Sequence, residues 1–434
     1  MIASSAANLL QEFTRHKIDA ALDTVETVKS KSHPFPESRL ALDGIGKHLI
    51  DLRDRVARPG QNHYILKNYC RVALEQLAET IPLVGFLDRS SEVDGPVEFH
   101  DPFSRIVNSL LGPDAKLILS SMWNFSPYTI TYPDEVPKYI ENFVYVSFCV
   151  SESDNAILTP LAAHELGHNI WKKENIALSL KSRVGVEIVR LIQTPTYAKQ
   201  WQATSGHTDT AGDLIGNVIW QPAHLWAMKQ LEESFCDFIG LFLFGPSYLY
   251  AFAHFISPGV NAGEPKYPQA YERFSALLLE AQKHWKIDTA FDTGLFEAAT
   301  RPQEIDGSID REYLLRLADD ARKSLLYDVV GSARSIIDSA CLLYSSVGED
   351  DLLEQLNEGV PCSNAKSLMA VVNAGWSVFI QRVYRATFGS KNWGFSIQET
   401  PKVLNELILK SFETHEIEQR LKGQPCSTQQ RLVN

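Results

Sequence analysis

The sequence predicts a mainly α-helical fold with a small β-sheet, an α+β arrangement. Apolar residues recur at helical spacing through both ends of the chain, and only the stretch from about 116 to 150 switches to the two-residue period of strands. Length and composition agree: 434 residues with 44% hydrophobic and 22% charged content allow one large domain or two to three smaller ones, with a sizeable core. We expect a helical N-terminal region over 1–100, a core over 101–290 and a helical C-terminal region over 291–434.

Leu9, Leu10, Phe13, Ile18, Leu22, Val25 and Val28 mark the first helix, and His33-Pro34-Phe35-Pro36 breaks it. Further helices are expected over about 38–56 and 63–81, followed by a less regular stretch over 83–113 with a polar loop at 88–96. Residues 116–122, 128–132 and 143–150 are rich in β-branched and aromatic types and read as strands. The last of these runs into the next helix and could offer an edge to an extended peptide. A helix over about 177–192 precedes a polar segment, 194–213, which reads as a loop over the site and holds His207. Pro222 opens a helix that Gly245-Pro246 ends, and another follows to about Ile256. Helices return over 268–284 and, with breaks near 358–364 and 389–400, from Arg311 to Leu421.

Charge and cysteine content narrow the function classes. A formal net charge of −12 argues against binding nucleic acid by bulk electrostatics, so no nucleic-acid partner is expected. The six cysteines are scattered and several sit in apolar runs, as reduced, buried thiols do. The most apolar stretch, Phe235–Ile256, carries Asp237 and His254 and is broken by Gly245-Pro246, so we read two buried helices and no membrane span. The N-terminus lacks a basic, then apolar, leader pattern. The expectation is a cytoplasmic protein; its oligomeric state is not legible.

The chemistry centres on L-T-P-L-A-A-H-E-L-G-H-N-I-W, which contains H-E-x-x-H at His164, Glu165 and His168. On a helix, positions i and i+4 share a face, so both imidazoles can reach one Zn²⁺ ion, with Glu165 placed to act on water activated there. Thr159 is a candidate helix cap and Pro160 suits the first helical position. Leu161, Ala162, Ala163, Leu166, Ile170 and Trp171 make the helix apolar, and buried His and Glu side chains need partners.

Catalytic zinc takes three protein ligands and keeps one position open. The third must come from elsewhere in the chain, and Q-L-E-E-S-F-C-D-F-I-G offers Glu233 and Asp237 four residues apart on a strongly apolar helix. Glu233 would bind zinc, and Asp237 would accept the free ring N–H of His164 or His168 and fix its tautomer. Glu232 is the competing ligand.

H-E-L-G-H followed at a distance by E-S-F-C-D resembles the gluzincin metallopeptidases, whose signature is H-E-x-x-H plus a downstream E-x-x-x-D. Residues 267–273, Y-P-Q-A-Y-E-R, are similar to the H-P-x-x-x-x-R segment of the branch that includes the CAAX prenyl endopeptidases, with Tyr267 in place of the His. Members of that branch are often membrane-embedded. The resemblance covers roughly residues 158–275. It implies a zincin-like core and zinc-dependent cleavage of a peptide or protein substrate, with Glu165 as general base and Tyr267 or Arg273 stabilising the oxyanion. Tyr248, Tyr271 and His254 are further candidates for that last role. Two other readings stay open: a regulatory metallopeptidase that cleaves a repressor or partner protein, and a zinc-stabilised scaffold without catalysis.

Overall fold

A computed structural model describes residues 2–58, 62–91, 97–122, 128–129, 142–205, 220–257, 267–288, 291–294, 309–384 and 399–423. The chain is mostly helical with a small sheet, as expected. It folds as two compact units, one of residues 1–100 and 112–154, the other of 101–111 and 155–434. These units cut across the three expected regions: the strands belong to the first, and both metal-motif helices and the C-terminal helices to the second.

In the first unit, α1 (Ile2–Lys29), α2 (Pro36–Ala57) and α3 (His63–Arg89) pack on one another. Ile18, Val25, Ile45, Leu49, Cys70 and Phe86 form their shared core, which Ile118 and Tyr145 extend into the sheet. The His33–Pro36 break sits where expected, with Pro36 opening α2. Helix α4 (Val97–Leu111), of which residues 101–111 belong to the second unit, is a correction: the stretch expected to be irregular is helical, because Phe99, Phe103, Ile106, Val107 and Leu110 bury one face.

The sheet has the order β1-β3-β2, with β1 (Lys116–Met122) parallel to β3 (Phe143–Cys149) and the two-residue β2 (Tyr128–Thr129) antiparallel to it. β3 is therefore central in the described sheet and not the edge that a peptide could extend. Residues 144–149 are all buried, as in a strand covered on both faces.

In the second unit, α5 (Leu161–Lys173), α6 (Ile176–Ile192) and α7 (Pro195–Ser205) precede the long α8 (Trp220–Phe244). Helix α7 corrects the expected loop over 194–213 in its first part; His207 lies outside the described residues. Then come α9 (Pro246–Ile256), α10 (Ala270–Gln282), α11 (Ile309–Ser339), α12 (Glu349–Asn357), α13 (Leu368–Phe379), continued by a wider π turn over Ile380–Tyr384, and α14 (Thr400–Gly423). The break between α11 and α12 was not expected. Of the two that were, the one near 358–364 separates α12 from α13, and 389–398 lies outside the described residues.

Helix α8 is the axis of this unit: it packs against α5, α6, α10, α11 and α13, and from Ser234 to Phe244 every residue is buried. Gly245 ends it with φ +62°, and Pro246 starts α9, as the Gly-Pro signal predicts. A side-chain carbon on Gly245 would lie 2.1 Å from the Tyr344 ring, so glycine is required there twice over. Among the described residues no helix is long and apolar enough to cross a membrane.

Candidate metal centre

Helix α5 begins without the expected cap. The Thr159 hydroxyl donates to the Ala156 carbonyl at 2.7 Å instead of accepting from the helix. The preceding 3₁₀ turn, Ala156–Leu158, runs straight into α5, so the Thr159 and Pro160 carbonyls take the Ala162 and Ala163 N–H groups and leave no work for a cap.

One turn apart on α5, the rings of His164 and His168 face α8. The two oxygens of Glu233 approach them: Oε2 is 3.4 Å from His164 Nε2, and Oε1 is 3.8 Å from His168 Nε2. The other ring nitrogens are held from behind. His164 Nδ1 lies 2.9 Å from Asp237 Oδ1, and His168 Nδ1 lies 3.0 Å from Glu232 Oε1. The i, i+4 spacing of Glu233 and Asp237 thus places one carboxylate in front of the imidazoles and one behind His164. Glu232, expected at most as a rival ligand, supports His168, and Lys229 Nζ donates to its second oxygen at 2.9 Å.

Asp237 is the best-supported group in the site. Arg273, on α10, grips it with two N–H groups, Nε to Oδ2 at 2.7 Å and Nη2 to Oδ1 at 2.8 Å. The Tyr248 hydroxyl, on α9, donates to Oδ1 at 2.8 Å. Arg273 also lies 3.6 Å from Glu233 and rests over the Phe252 ring. So Arg273, expected at a substrate oxyanion, instead faces the carboxylate that backs His164; Tyr248, another such candidate, does the same. Tyr267 is half-buried ahead of α10, Tyr271 is exposed, and His254 packs edge-on to Trp376 and Phe379.

The residue just before Arg273 on α10 binds the opposite way. Glu272 accepts from Arg322 Nη2 at 2.9 Å and Lys323 Nζ at 2.7 Å, both on α11. Arg322 is fully buried and also donates to Asp319.

Two glycines allow these close approaches. A side-chain carbon on Gly167, inside H-E-L-G-H, would lie 2.7 Å from the Cys236 Cα, so its absence lets α5 settle directly on α8. One on Gly240 would strike the Tyr248 ring at 2.2 Å, so the bare glycine lets the ring pack closely against α8 on its way to Asp237.

The electrostatics follow from burial and pairing. Burial pushes the Glu165 carboxyl above its ordinary value, with His164 and His168 pulling the other way; only 5% of the residue is exposed. Burial alone would also raise Asp237, but Arg273 and the His164 hydrogen bond hold it well below the usual carboxylate range. Glu233 is lowered in the same manner, against its burial, by His164 and then Arg273. Burial disfavours the charged His164 ring, yet its bonds to Asp237 and Glu233 push it up to about 10.

These residues suit a divalent cation. Donors bound at about 2.0–2.2 Å to a tetrahedral ion stand roughly 3.3–3.5 Å apart, close to the spacing of Glu233 from the two rings. Both Nδ1 atoms are taken by carboxylates, which leaves each Nε2 free to coordinate. Four carboxylates, Glu165, Glu232, Glu233 and Asp237, meet two fixed cations, Lys229 and Arg273, so with both imidazoles neutral, as metal ligands must be, two negative charges remain for an ion to balance. The Cys236 sulfur also lies within 4.8 Å of ring nitrogens of His164 and His168. Burial and the surrounding carboxylates keep that thiol protonated, which makes it a poor ligand beside an ionised Glu233. Compared with protein-family descriptions, with curated proteins and with solved structures, the chain matches none.

Proposed function

We propose that the chain is a zinc-dependent endopeptidase of the gluzincin kind, with a zincin-like core formed by α5 and α8. The observation that carries this reading is the approach of Glu233 to both imidazoles of H-E-x-x-H, each held from behind by its own carboxylate. His164, His168 and Glu233 would hold the ion. When bound, zinc supplies a Lewis acid that polarises a peptide carbonyl and makes a water more acidic.

The side chains supply the rest. Glu165, whose carboxyl burial makes more basic, takes a proton from the attacking water and passes it to the leaving amine. Asp237 and Glu232 fix the tautomers, so that both rings present Nε2 forward. Arg273 offsets the charge of Asp237 and Glu233 and keeps α10 against the site. With Arg273 facing inward, Tyr267 is the candidate donor to the oxyanion.

The three donor side chains are only 12–14% exposed, which also suits a structural ion in a non-catalytic scaffold. One experiment separates the readings. Metal content and the anomalous signal at the zinc edge are measured on purified protein, and hydrolysis of an unstructured protein such as casein is followed with and without chelator. Zinc on His164, His168 and Glu233 with chelator-sensitive cleavage supports the peptidase. Zinc without cleavage supports the scaffold, and a protein that takes up no zinc defeats both.

A further inference from the structure

The C-terminal helices reach the metal-bearing ones at both ends of the site. Trp376, on α13, donates its indole N–H to the Ile157 carbonyl at 2.8 Å, and Asn405, on α14, accepts from the Ala156 N–H at 2.7 Å, so the approach to α5 is held from outside. The bend between α8 and α9 is held more tightly. Asn373, on α13 and 3% exposed, donates from Nδ2 to the Phe244 carbonyl at 2.7 Å and accepts at Oδ1 from the Ser247 N–H at 2.9 Å. One amide thus bonds the last carbonyl-bearing residue of α8 and an early N–H of α9, across the Gly245-Pro246 break.

A bend of this kind leaves helix-end groups without intrahelical partners, and a buried one left unmade costs stability. Asn373 satisfies the Ser247 N–H and shares the Phe244 carbonyl with the Ser247 hydroxyl, which donates to it at 2.8 Å, and so ties the two helix ends together and holds their angle. Tyr248 is the next residue after Ser247. Its ring packs closely against Gly240, where a side-chain carbon would lie 2.2 Å away, and its hydroxyl reaches Asp237 at 2.8 Å, so the direction of α9 sets whether that hydrogen bond is made. The same Asp237 oxygen accepts from Tyr248 and faces His164 Nδ1, and the hydroxyl itself stands 3.4 Å from that nitrogen.

We propose that Asn373 is a positioning residue of the metal centre: it sets the turn between α8 and α9 so that Tyr248 steadies Asp237 and Asp237 steadies the His164 ring. This rests on the reading of His164, His168 and Glu233 as metal ligands. It gives the C-terminal helices a defined task, to hold fixed the geometry behind the His164 ring.

The test is a double-mutant cycle on the full chain, read as the rate at which zinc passes to a chromogenic chelator and, separately, as thermal stability. Tyr248→Phe removes the hydroxyl and keeps the ring. Removing such a supporting group lowers metal affinity by about 10–100-fold, and a faster release within that range is expected. Asn373→Ala is expected to speed release by a similar factor in the wild-type background and to add little in the Tyr248→Phe background, while the losses in stability add. Asn373→Asp, which keeps the acceptor for Ser247, should recover part of the slow release and serves in place of the alanine variant if that variant does not fold. Release unchanged by Asn373 substitution, or accelerated equally with and without the Tyr248 hydroxyl, overturns the proposal and leaves the metal reading intact. A wild-type protein that takes up no zinc overturns the metal reading, and this inference falls with it.

Discussion

Gly167 and Cys236 are in contact across α5 and α8, so near that a methyl group on the glycine would lie 2.7 Å from the Cys236 Cα and 3.0 Å from its sulfur. The glycine of a motif usually read for its histidines is therefore a packing position. It sets the gap across which His164 and His168 must meet Glu233.

Gly167→Ala should force the helices apart, because the blocking atom is backbone and cannot rotate away. A loss of about 1–3 kcal/mol is expected from overpacking. Zinc affinity should fall as well, since the donors are carried by the two helices that separate. Chemical denaturation and chelator competition measure the two effects.

Arg273→Ala should leave Asp237, 1% exposed, as a buried carboxylate without its main countercharge. Breaking such a pair costs about 3–5 kcal/mol. Arg273→Lys restores a charge but not the paired N–H groups, so it should recover only part of the loss. Urea unfolding of the three proteins gives the order; equal stability of wild type and the alanine variant would refute the role given to Arg273.

Glu165→Gln should keep zinc and lose peptide hydrolysis. The amide fills the same space but takes no proton, and general-base catalysis contributes typically about 10²–10⁴-fold. Metal analysis beside a peptide-cleavage assay checks both halves, and a fully active variant would exclude Glu165 as the base.

Acid should weaken the second unit through His415. Burial, aided by the charge of Arg105, holds its imidazole below the ordinary 6.5, although the ring's bond to the Ala365 carbonyl pulls the other way. The unfolded chain then binds the proton more readily than the folded one. The stabilisation is complete above the unfolded value and is lost as pH falls from there through the folded value. One proton limits the slope to about 1.4 kcal/mol per pH unit. His48, in the first unit, is lowered by burial too, so His415→Gln should flatten the fall in stability between pH 7 and 5 without abolishing it. Denaturant midpoints across that range are the measurement.

Relations within one helix were the legible part of the site. The i, i+4 pairs His164/His168 and Glu233/Asp237 could be placed on faces of α5 and α8 from spacing alone, because helical geometry fixes them. Relations between helices were not. Glu232 sits beside Glu233 and can support His168 only because of how α8 is turned toward α5. Arg273 was visible as a motif residue, but its direction depends on the packing of α10, and its carboxylate partner lies on another helix. The uninterrupted apolar alternation of β3 gave the strand but not its place in the sheet, which depends on pairing with β1 and β2. Helix α7 was hidden by polar, small residues with weak periodicity, whereas α4 was hidden by Pro102 and by the polar stretch before it.

Glu272 and Arg273 are chain neighbours that reach in different directions, one to α11 and the other to α8. Such a pair works as a key with two teeth. Rolling α10 about its axis, or sliding it by one residue, would withdraw both ionic attachments together, so only one seating of this helix satisfies them.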